Sequence, residues 1–334
     1  MGRYPLKTAI GEYMNANKAY LSPSTLASAG SILRTTERVY AELRAKNPDL
    51  KAEPVNWGEP EITALMFGIR EMGLSHNSQV QYIVILKGLL RFAGNGIMER
   101  MKARHPTMFP RMETERKPSL TEGQLAKVFD SIEKTSGWKG ESIRFLMWTY
   151  AYTGLRLSEL TRAERSDLNT TSWTLRVSHP KGERTYGKQR IVPIPEPLRP
   201  VIVRYFRARE EMLAKKGMLE TTPLVFTERH PDRSVSAPMA ERWKCQLERL
   251  SGVRFTVHGL RRTYGQTLLD RGVPLETVSI MLGHSSTTTT ERHYCRKDTN
   301  SAMLEVNRAF ERSMTSPSVN PPLIERKNQL PGYA

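Results

Sequence analysis

The chain has 334 residues, of which 38% are hydrophobic, so it can bury the cores of one or two domains without help from metals or disulfides. Its 51 lysine and arginine residues exceed its 34 acidic residues, and the net charge of +17 indicates a polyanionic partner, nucleic acid before an anionic membrane. Apolar runs are far shorter than the roughly 20 residues that span a bilayer, and no signal-peptide pattern opens the chain. The two cysteines, Cys245 and Cys295, form no CxxC motif, so we expect reduced thiols in a cytoplasmic protein.

The first third of the chain is predicted to be helical. Apolar residues recur at helical spacing in three segments, 22–46, 59–73 and 75–96, and each segment stops at Asn-Pro or at glycine. Residues 106–118 hold three prolines and five charged residues, which is typical of an interdomain linker. We therefore place a helical domain at 1–112 and a linker at 113–118.

The second part of the chain mixes helices with strands. Residues 174–178 and 190–194 alternate apolar and polar side chains around a long basic turn that contains Pro180-Lys181-Gly182, which predicts a β-hairpin. Helices are predicted around it, most of them closed by glycine, at 119–129, 140–154, 156–168, 196–217, 239–252, 258–272, 274–284 and 300–314. The pattern is typical of a mainly α fold with a small antiparallel sheet, and the tail after 314 is expected to be extended.

Six residues of this second part could carry chemistry, and each alone has an ordinary structural explanation. They are Arg156, Lys181, His258, Arg261, His284 and Tyr294. Arg156 could simply pair with Glu159 one helical turn later, and an exposed lysine is normal in a hairpin turn. A histidine after Leu-Gly could close a helix, and a tyrosine often belongs to a core.

Taken together, these residues suit phosphodiester transfer without a metal. Two guanidiniums can clamp the oxygens of a pentavalent phosphorus transition state, and a histidine and a lysine can move protons to and from the leaving oxygen. A tyrosine hydroxyl can attack phosphorus and hold one DNA strand as an ester, so that a second hydroxyl can reseal the strand without ATP. No paired carboxylates and no cluster at metal-ligand spacing stand out in the sequence, so no cofactor or metal is predicted.

The set resembles the tyrosine recombinases, also called phage-type integrases, over about 120–297. The similarity is carried by "TGLRLSEL" and by "HGLRRTYGQTLLDRGVPLETVSIMLGHSSTTTTERHY", which follow the two motif boxes of the family. The resemblance implies catalytic roles for Arg156, Lys181, His258, Arg261 and His284, with Tyr294 as the nucleophile. It also implies a helical DNA-clamping domain at 1–112 and an α+β catalytic domain at 119–299.

Two departures from the family pattern leave alternatives open. The family usually places its tyrosine nine residues after the second histidine, but here His293 holds that position and Tyr294 comes one residue later. We expect the threonine run, 287–290, to break the helix after His284 and absorb the extra residue as a loop. In the hairpin turn, Lys188 is the alternative to Lys181, which the Pro-Lys-Gly sequence favours.

The resemblance implies a site-specific recombinase that cuts and rejoins duplex DNA through a 3′-phosphotyrosyl intermediate. Its partners would be a specific double-stranded DNA site and three further copies of the chain, assembled as a tetramer on DNA. Residues 300–334, a C-terminal helix and tail, could be exchanged between protomers, with packing on their own domain as the alternative. The rivals are a type IB topoisomerase, which would relax DNA without site preference, and a DNA-binding relative that has lost catalysis.

Overall fold

The computed structural model describes residues 5–113, 119–183, 187–284, 286–294 and Met303, but not the side chains of residues 292–294. The chain divides into two compact units, Met1–Glu115 and Arg116–Ala334. The mainly helical fold predicted from the sequence is confirmed. No helix in the described ranges is long and apolar enough to cross a membrane.

The first unit is a small helical bundle around its own core. Its helices are α1 (Leu6–Asn17), α2 (Pro23–Lys46), α3 (Glu59–Glu71), α4 (His76–Phe92) and α5 (Ile97–Arg104). Helices α2 and α4 begin at Ser22 and Ser75, whose hydroxyls accept hydrogen bonds from backbone N–H groups three residues later. The apolar stripes read from the sequence meet in the centre, where Leu33, Ile62 and Leu89 are fully buried. Helices α1 and α5 were not predicted.

The second unit packs its helices around α7, a helix that is buried on nearly all sides. The helices are α6 (Glu122–Glu133), α7 (Gly137–Thr153), α8 (Leu157–Thr161), α9 (Arg199–Lys215), α10 (Ala237–Ser251), α11 (Val257–Asp270), α12 (Leu275–Leu282) and α13 (Thr287–Tyr294). Because α6, α9 and α11 all contact α7, its apolar residues surround the axis instead of forming one stripe. Gly154 ends α7 in the left-handed conformation and leads directly into the "LRLSEL" segment.

The predicted hairpin is present and belongs to a three-stranded antiparallel sheet. Its strands are β1 (Leu168–Asn169), β2 (Thr174–Val177) and β3 (Arg190–Pro193), with Leu175 opposite Val192. A second small hairpin, β4 (Phe226–Thr227) with β5 (His230–Ser234), was not predicted. Described residues on both sides of the turn between β2 and β3 line one cavity together with residues at the end of α12.

The expectation that the threonine run forms a loop was wrong. Helix α12 ends one residue before Gly283, which takes a φ of 66° that suits glycine, so this glycine breaks the helix. The threonines then form the first turn of α13, with the Ser286 hydroxyl accepting a hydrogen bond from the Thr288 N–H. The predicted helix at 300–314 lies outside the described residues, apart from Met303.

Candidate active site

Three arginines converge on the last carbonyl groups of α12. The pairs are Arg190 Nε to the Met281 oxygen at 3.0 Å, Arg261 Nη2 to the Leu282 oxygen at 2.6 Å, and Arg156 Nη2 to the Gly283 oxygen at 2.9 Å. The last carbonyls of a helix lack partners within it and carry its partial negative charge, so they favour cations. The end of α12 therefore fixes two of the predicted catalytic arginines next to His284.

The Glu159 carboxylate binds two of these arginines, Arg156 and Arg190. It is fully buried and accepts hydrogen bonds from Arg156 Nη1 at 2.8 Å and from both terminal nitrogens of Arg190, at 3.1 and 2.8 Å. It also accepts the backbone N–H of Arg156 at 2.9 Å. Burial alone would raise the pKa of Glu159, but the bonds and charges of Arg190 and Arg156 outweigh burial and lower this pKa to about 2.

Replacing Glu159 with glutamine should lower the free energy of unfolding at neutral pH by about 3 kcal/mol, the value of a pKa shift of this size. A lowered carboxyl pKa adds stability above the unfolded pKa of 4.5, and that stability is lost as the pH falls towards about 2. The acid dependence of unfolding should therefore flatten in the variant over this window. Urea denaturation from neutral to acid pH measures both effects, with Glu210→Gln, at an exposed position of α9, as the control. Equal stability of the two variants would contradict the role of Glu159.

Gly283 is required by its neighbours as well as by its backbone conformation. A Cβ atom at this position would lie 2.6 Å from Arg190 Nη1 and 2.8 Å from its central carbon, which is too close for a real contact. The Arg190 guanidinium thus packs directly on the backbone of the Leu-Gly-His segment. Glycine here serves both the end of α12 and the arginine cluster.

The turn between β2 and β3 brings the two candidate lysines together. The Gly187 N–H donates to the Gly182 carbonyl at 2.8 Å, and a Cβ atom on Gly187 would lie only 2.5 Å from the Lys181 oxygen. This close backbone contact places Lys181 and Lys188 at the base of the same loop, and both side chains are exposed. Both also line one cavity of about 410 Å³ together with Arg156, Arg190 and His284. The structure brings both lysines to the candidate site.

The other predicted residues occupy α11 and α13. Arg261 lies behind the cavity, only 1% exposed, and its Nη1 donates to the Gly154 carbonyl at 2.7 Å. His258 is exposed on the first turn of α11, one turn before Arg261. Tyr294 is the last residue of α13, and its side chain, like that of His293, lies outside the described part of the structure.

The sequence analysis recognised neither Glu159 nor Arg190 as part of the site. Glu159 was noted only as an ion-pair partner of Arg156, and the structure shows that this pairing coexists with a place in the cluster. Arg190 begins a strand whose alternating pattern gives no sign of a partner in α8 or α12. Within the described ranges, no group of three or more His, Cys, Asp or Glu side chains could hold a metal ion.

The sequence pattern of the phage integrase family matches residues 118–301, which is more than half of the chain. The chain belongs to the phage integrase family. It is a tyrosine recombinase, an enzyme of site-specific DNA recombination, as the resemblance of its two motif boxes implied. The matched range contains all six predicted site residues.

Curated relatives agree with this assignment, and solved structures share the fold. The recombinase is 30% identical over 228 residues to tyrosine recombinase XerA of Pyrococcus furiosus, covering 67% of this chain and 71% of the relative. It is 29% identical to tyrosine recombinase XerC of Chlorobaculum tepidum, covering 77% and 78%. The Tn1549 transposon integrase in complex with transposon right-end DNA has the same fold, with a TM-score of 0.65, 16% identity and coverage of 92% and 99%. A lambda integrase tetramer bound to a Holliday junction also has this fold, with a TM-score of 0.60 and 17% identity, covering 89% of this chain and 80% of that chain.

Proposed function

We propose that this recombinase cleaves and rejoins duplex DNA through a covalent 3′-phosphotyrosyl bond to Tyr294, without a metal ion or ATP. The observation that carries the proposal is the arginine cluster at the end of α12. It sets Arg156 and Arg261 beside His284, and the cavity in front of it is lined by cationic side chains. Such a cavity stabilises the negative charge that develops on a phosphoryl group in the transition state.

Each of the predicted site residues has its own role in the reaction. The Tyr294 hydroxyl gives its proton to solvent, and its oxygen forms a bond to phosphorus while the bond from phosphorus to the 5′ oxygen breaks. A protonated lysine of the hairpin turn gives that 5′ oxygen its proton. The Arg156 side chain is 24% exposed and the bonds described use two of its five N–H groups, so it can also donate to a phosphate oxygen. Arg261 contributes its charge from behind, and His258 and His284 donate to phosphate oxygens. Rejoining reverses these steps with a 5′ hydroxyl of another strand.

The partners follow from charge and from the related structures. The net charge of +17 suits the DNA backbone, and the two integrases named above were solved with transposon-end DNA and as a tetramer on a Holliday junction. We therefore assign this chain a specific duplex site, assembly as a tetramer on DNA, and a cytoplasmic, DNA-associated location. Residues 1–112 would clamp the duplex, 113–118 would link, 119–299 would catalyse, and 300–334 would contact a neighbouring protomer.

Cleavage should proceed fully in the presence of EDTA, because cationic side chains supply the charge that a metal would otherwise supply. The substrate is a nicked duplex carrying the DNA site, which is to be identified by sequencing the DNA that flanks the gene for direct repeats. A covalent protein–DNA complex that survives denaturation is the expected product. A reaction that EDTA stops and Mg²⁺ restores would show that the metal-free mechanism is wrong.

The same protein should not relax plasmid DNA that lacks the site. A type IB topoisomerase would relax any supercoiled plasmid as a monomer, so the supercoiled substrate with and without the site separates the two activities. Relaxation at equal rates on both plasmids would replace recombination with topoisomerase activity as the function. A protein that binds the site but forms no covalent complex on either substrate would be a non-catalytic relative.

A further inference from the structure

The four consecutive threonines at the start of α13 differ sharply in burial. Thr287 and Thr288 are exposed and Thr289 is half-buried at the edge of the cavity, whereas Thr290 is 0% exposed. A buried hydroxyl without a hydrogen bond is costly, so we expect the Thr290 hydroxyl to have a partner. The Oγ1 of Thr290 lies 2.8 Å from Nδ1 of His284.

The position of Thr290 relative to His284 is set by the backbone on both sides. His284 follows the helix-ending Gly283, and its N–H donates to the Ser279 carbonyl at 3.1 Å, which fixes it to the end of α12. Helix α13 starts after the Ser286 cap, packs on α12 and α11, and brings Thr290 back toward the imidazole. Tyr294 follows Thr290 by four residues, a little more than one turn of the same helix.

We propose that Thr290 is a positioning residue, which holds the His284 imidazole through Nδ1 and so links it to the helix that carries Tyr294. The inference rests on the proposed function, in which His284 donates to the phosphate and Tyr294 attacks it. Its effect is that His284 is aligned only while α13 is in place. Displacement of α13 then removes the nucleophile and disorients the phosphate donor together.

A hydrogen bond donated by Thr290 to Nδ1 makes the other ring nitrogen of His284 a donor. A threonine hydroxyl can donate or accept, and a neutral imidazole has one N–H and one bare nitrogen. When Thr290 donates to Nδ1, the proton of the neutral ring sits on Nε2, and when the ring is protonated, Nδ1 donates to Thr290 instead. In these two states Nε2 carries a hydrogen that can be donated to a phosphate oxygen, whereas a neutral ring with its proton on Nδ1 would leave Nε2 as an acceptor.

The test compares Thr290→Val, Thr290→Ser and Thr288→Val in the full-length protein. Valine keeps the branched shape of threonine without the hydroxyl, serine keeps the hydroxyl, and Thr288 is an exposed neighbour in the same helical turn. Thr290→Val should slow cleavage of the nicked substrate by about 10-fold, equivalent to about 1.4 kcal/mol of transition-state stabilisation. Thr290→Ser and Thr288→Val should cleave at close to the wild-type rate, and all three should bind the site with wild-type affinity.

Two further readouts separate positioning from a general loss of stability. In DNA-free, isotope-labelled protein, the imidazole nitrogen shifts of His284, assigned with His284→Gln, should change in Thr290→Val and not in Thr288→Val. In a double-mutant cycle, Thr290→Val should have no further effect on cleavage once His284 is alanine, because the two residues act as one unit.

Several results would overturn the inference. They are wild-type cleavage by Thr290→Val, an unchanged His284 spectrum in that variant, equal slowing by Thr290→Ser, and additive losses in the cycle. If Thr290→Val does not fold, Thr290→Ser and the spectrum of the wild-type pair still decide, since an Nδ1 without a hydrogen bond would refute the contact. Failure of the proposed function is seen separately, as a covalent adduct that persists in Tyr294→Phe.

Discussion

Replacing Tyr294 with phenylalanine should abolish the covalent protein–DNA adduct while leaving affinity for the DNA site at the wild-type level. Phenylalanine keeps the ring and removes only the hydroxyl that forms the bond to phosphorus. The arginine cluster and the other basic residues remain in this variant, so their attraction to the DNA backbone should preserve binding. The measurement pairs trapping on a nicked substrate with an equilibrium binding assay on the same DNA.

His293→Ala is the matched control, because His293 has the spacing that is usual for the nucleophile in this family. His293 and Tyr294 are successive residues at the end of α13. The control should keep the adduct. Mass spectrometry of the trapped peptide locates the bond, and acid distinguishes an ester on tyrosine, which survives, from a labile phosphoramidate on histidine. A nucleotide attached at His293 would overturn the assignment.

Replacing Lys181 with alanine should slow cleavage by roughly 10²–10⁴-fold, the effect of losing a general acid, and Lys188→Ala should have a much smaller effect. The Lys188 variant is a matched control for the Lys181 variant, since both lysines are exposed at the base of the same turn and both line the cavity. Single-turnover cleavage of the nicked substrate measures each loss. A large loss in Lys188→Ala with little effect in Lys181→Ala would move the role to the second lysine.

A substrate with sulfur in place of the 5′ leaving oxygen shows whether the lysine acts as the acid. A thiolate leaves without being protonated, because thiols are far stronger acids than alcohols. The slow lysine variant should therefore recover most of its rate on the sulfur substrate, whereas Tyr294→Phe should not. A lysine variant that stays equally slow on both substrates would indicate a contact to DNA and not proton transfer.

The sequence predicted the features that depend on residues close together along the chain. Helices α2, α4 and α6 begin at serine or threonine caps, and α7 and α12 end at glycines with positive φ, so their bounds were close to those predicted. The hairpin of β2 and β3 followed from strict alternation. Short elements such as β1 and the β4–β5 hairpin lacked a periodic signal long enough to detect.

The threonine run shows where local preference gave the wrong answer. Four β-branched residues disfavour a helix interior, and this preference predicted a loop. The Ser286 cap, packing against α12, and the bond from Thr290 to His284 favour the helix instead. A few tenths of a kcal/mol of intrinsic propensity per residue is smaller than the gain from burying one face of a helix.

The sequence by itself predicted most of the candidate site residues, because the two motif boxes contain Arg156, Arg261, both histidines and Tyr294. Only the tertiary structure decided how they are held. The bonds from Arg156, Arg190 and Arg261 to the end of α12 join residues 127, 91 and 21 positions apart. No pattern of period two or 3.6 records such pairs, since periodicity shows which face of an element is buried and not what it meets there. The partners of Glu159, the placement of both lysines beside one cavity and the burial of Thr290 also depend on tertiary packing, which sequence periodicity does not record.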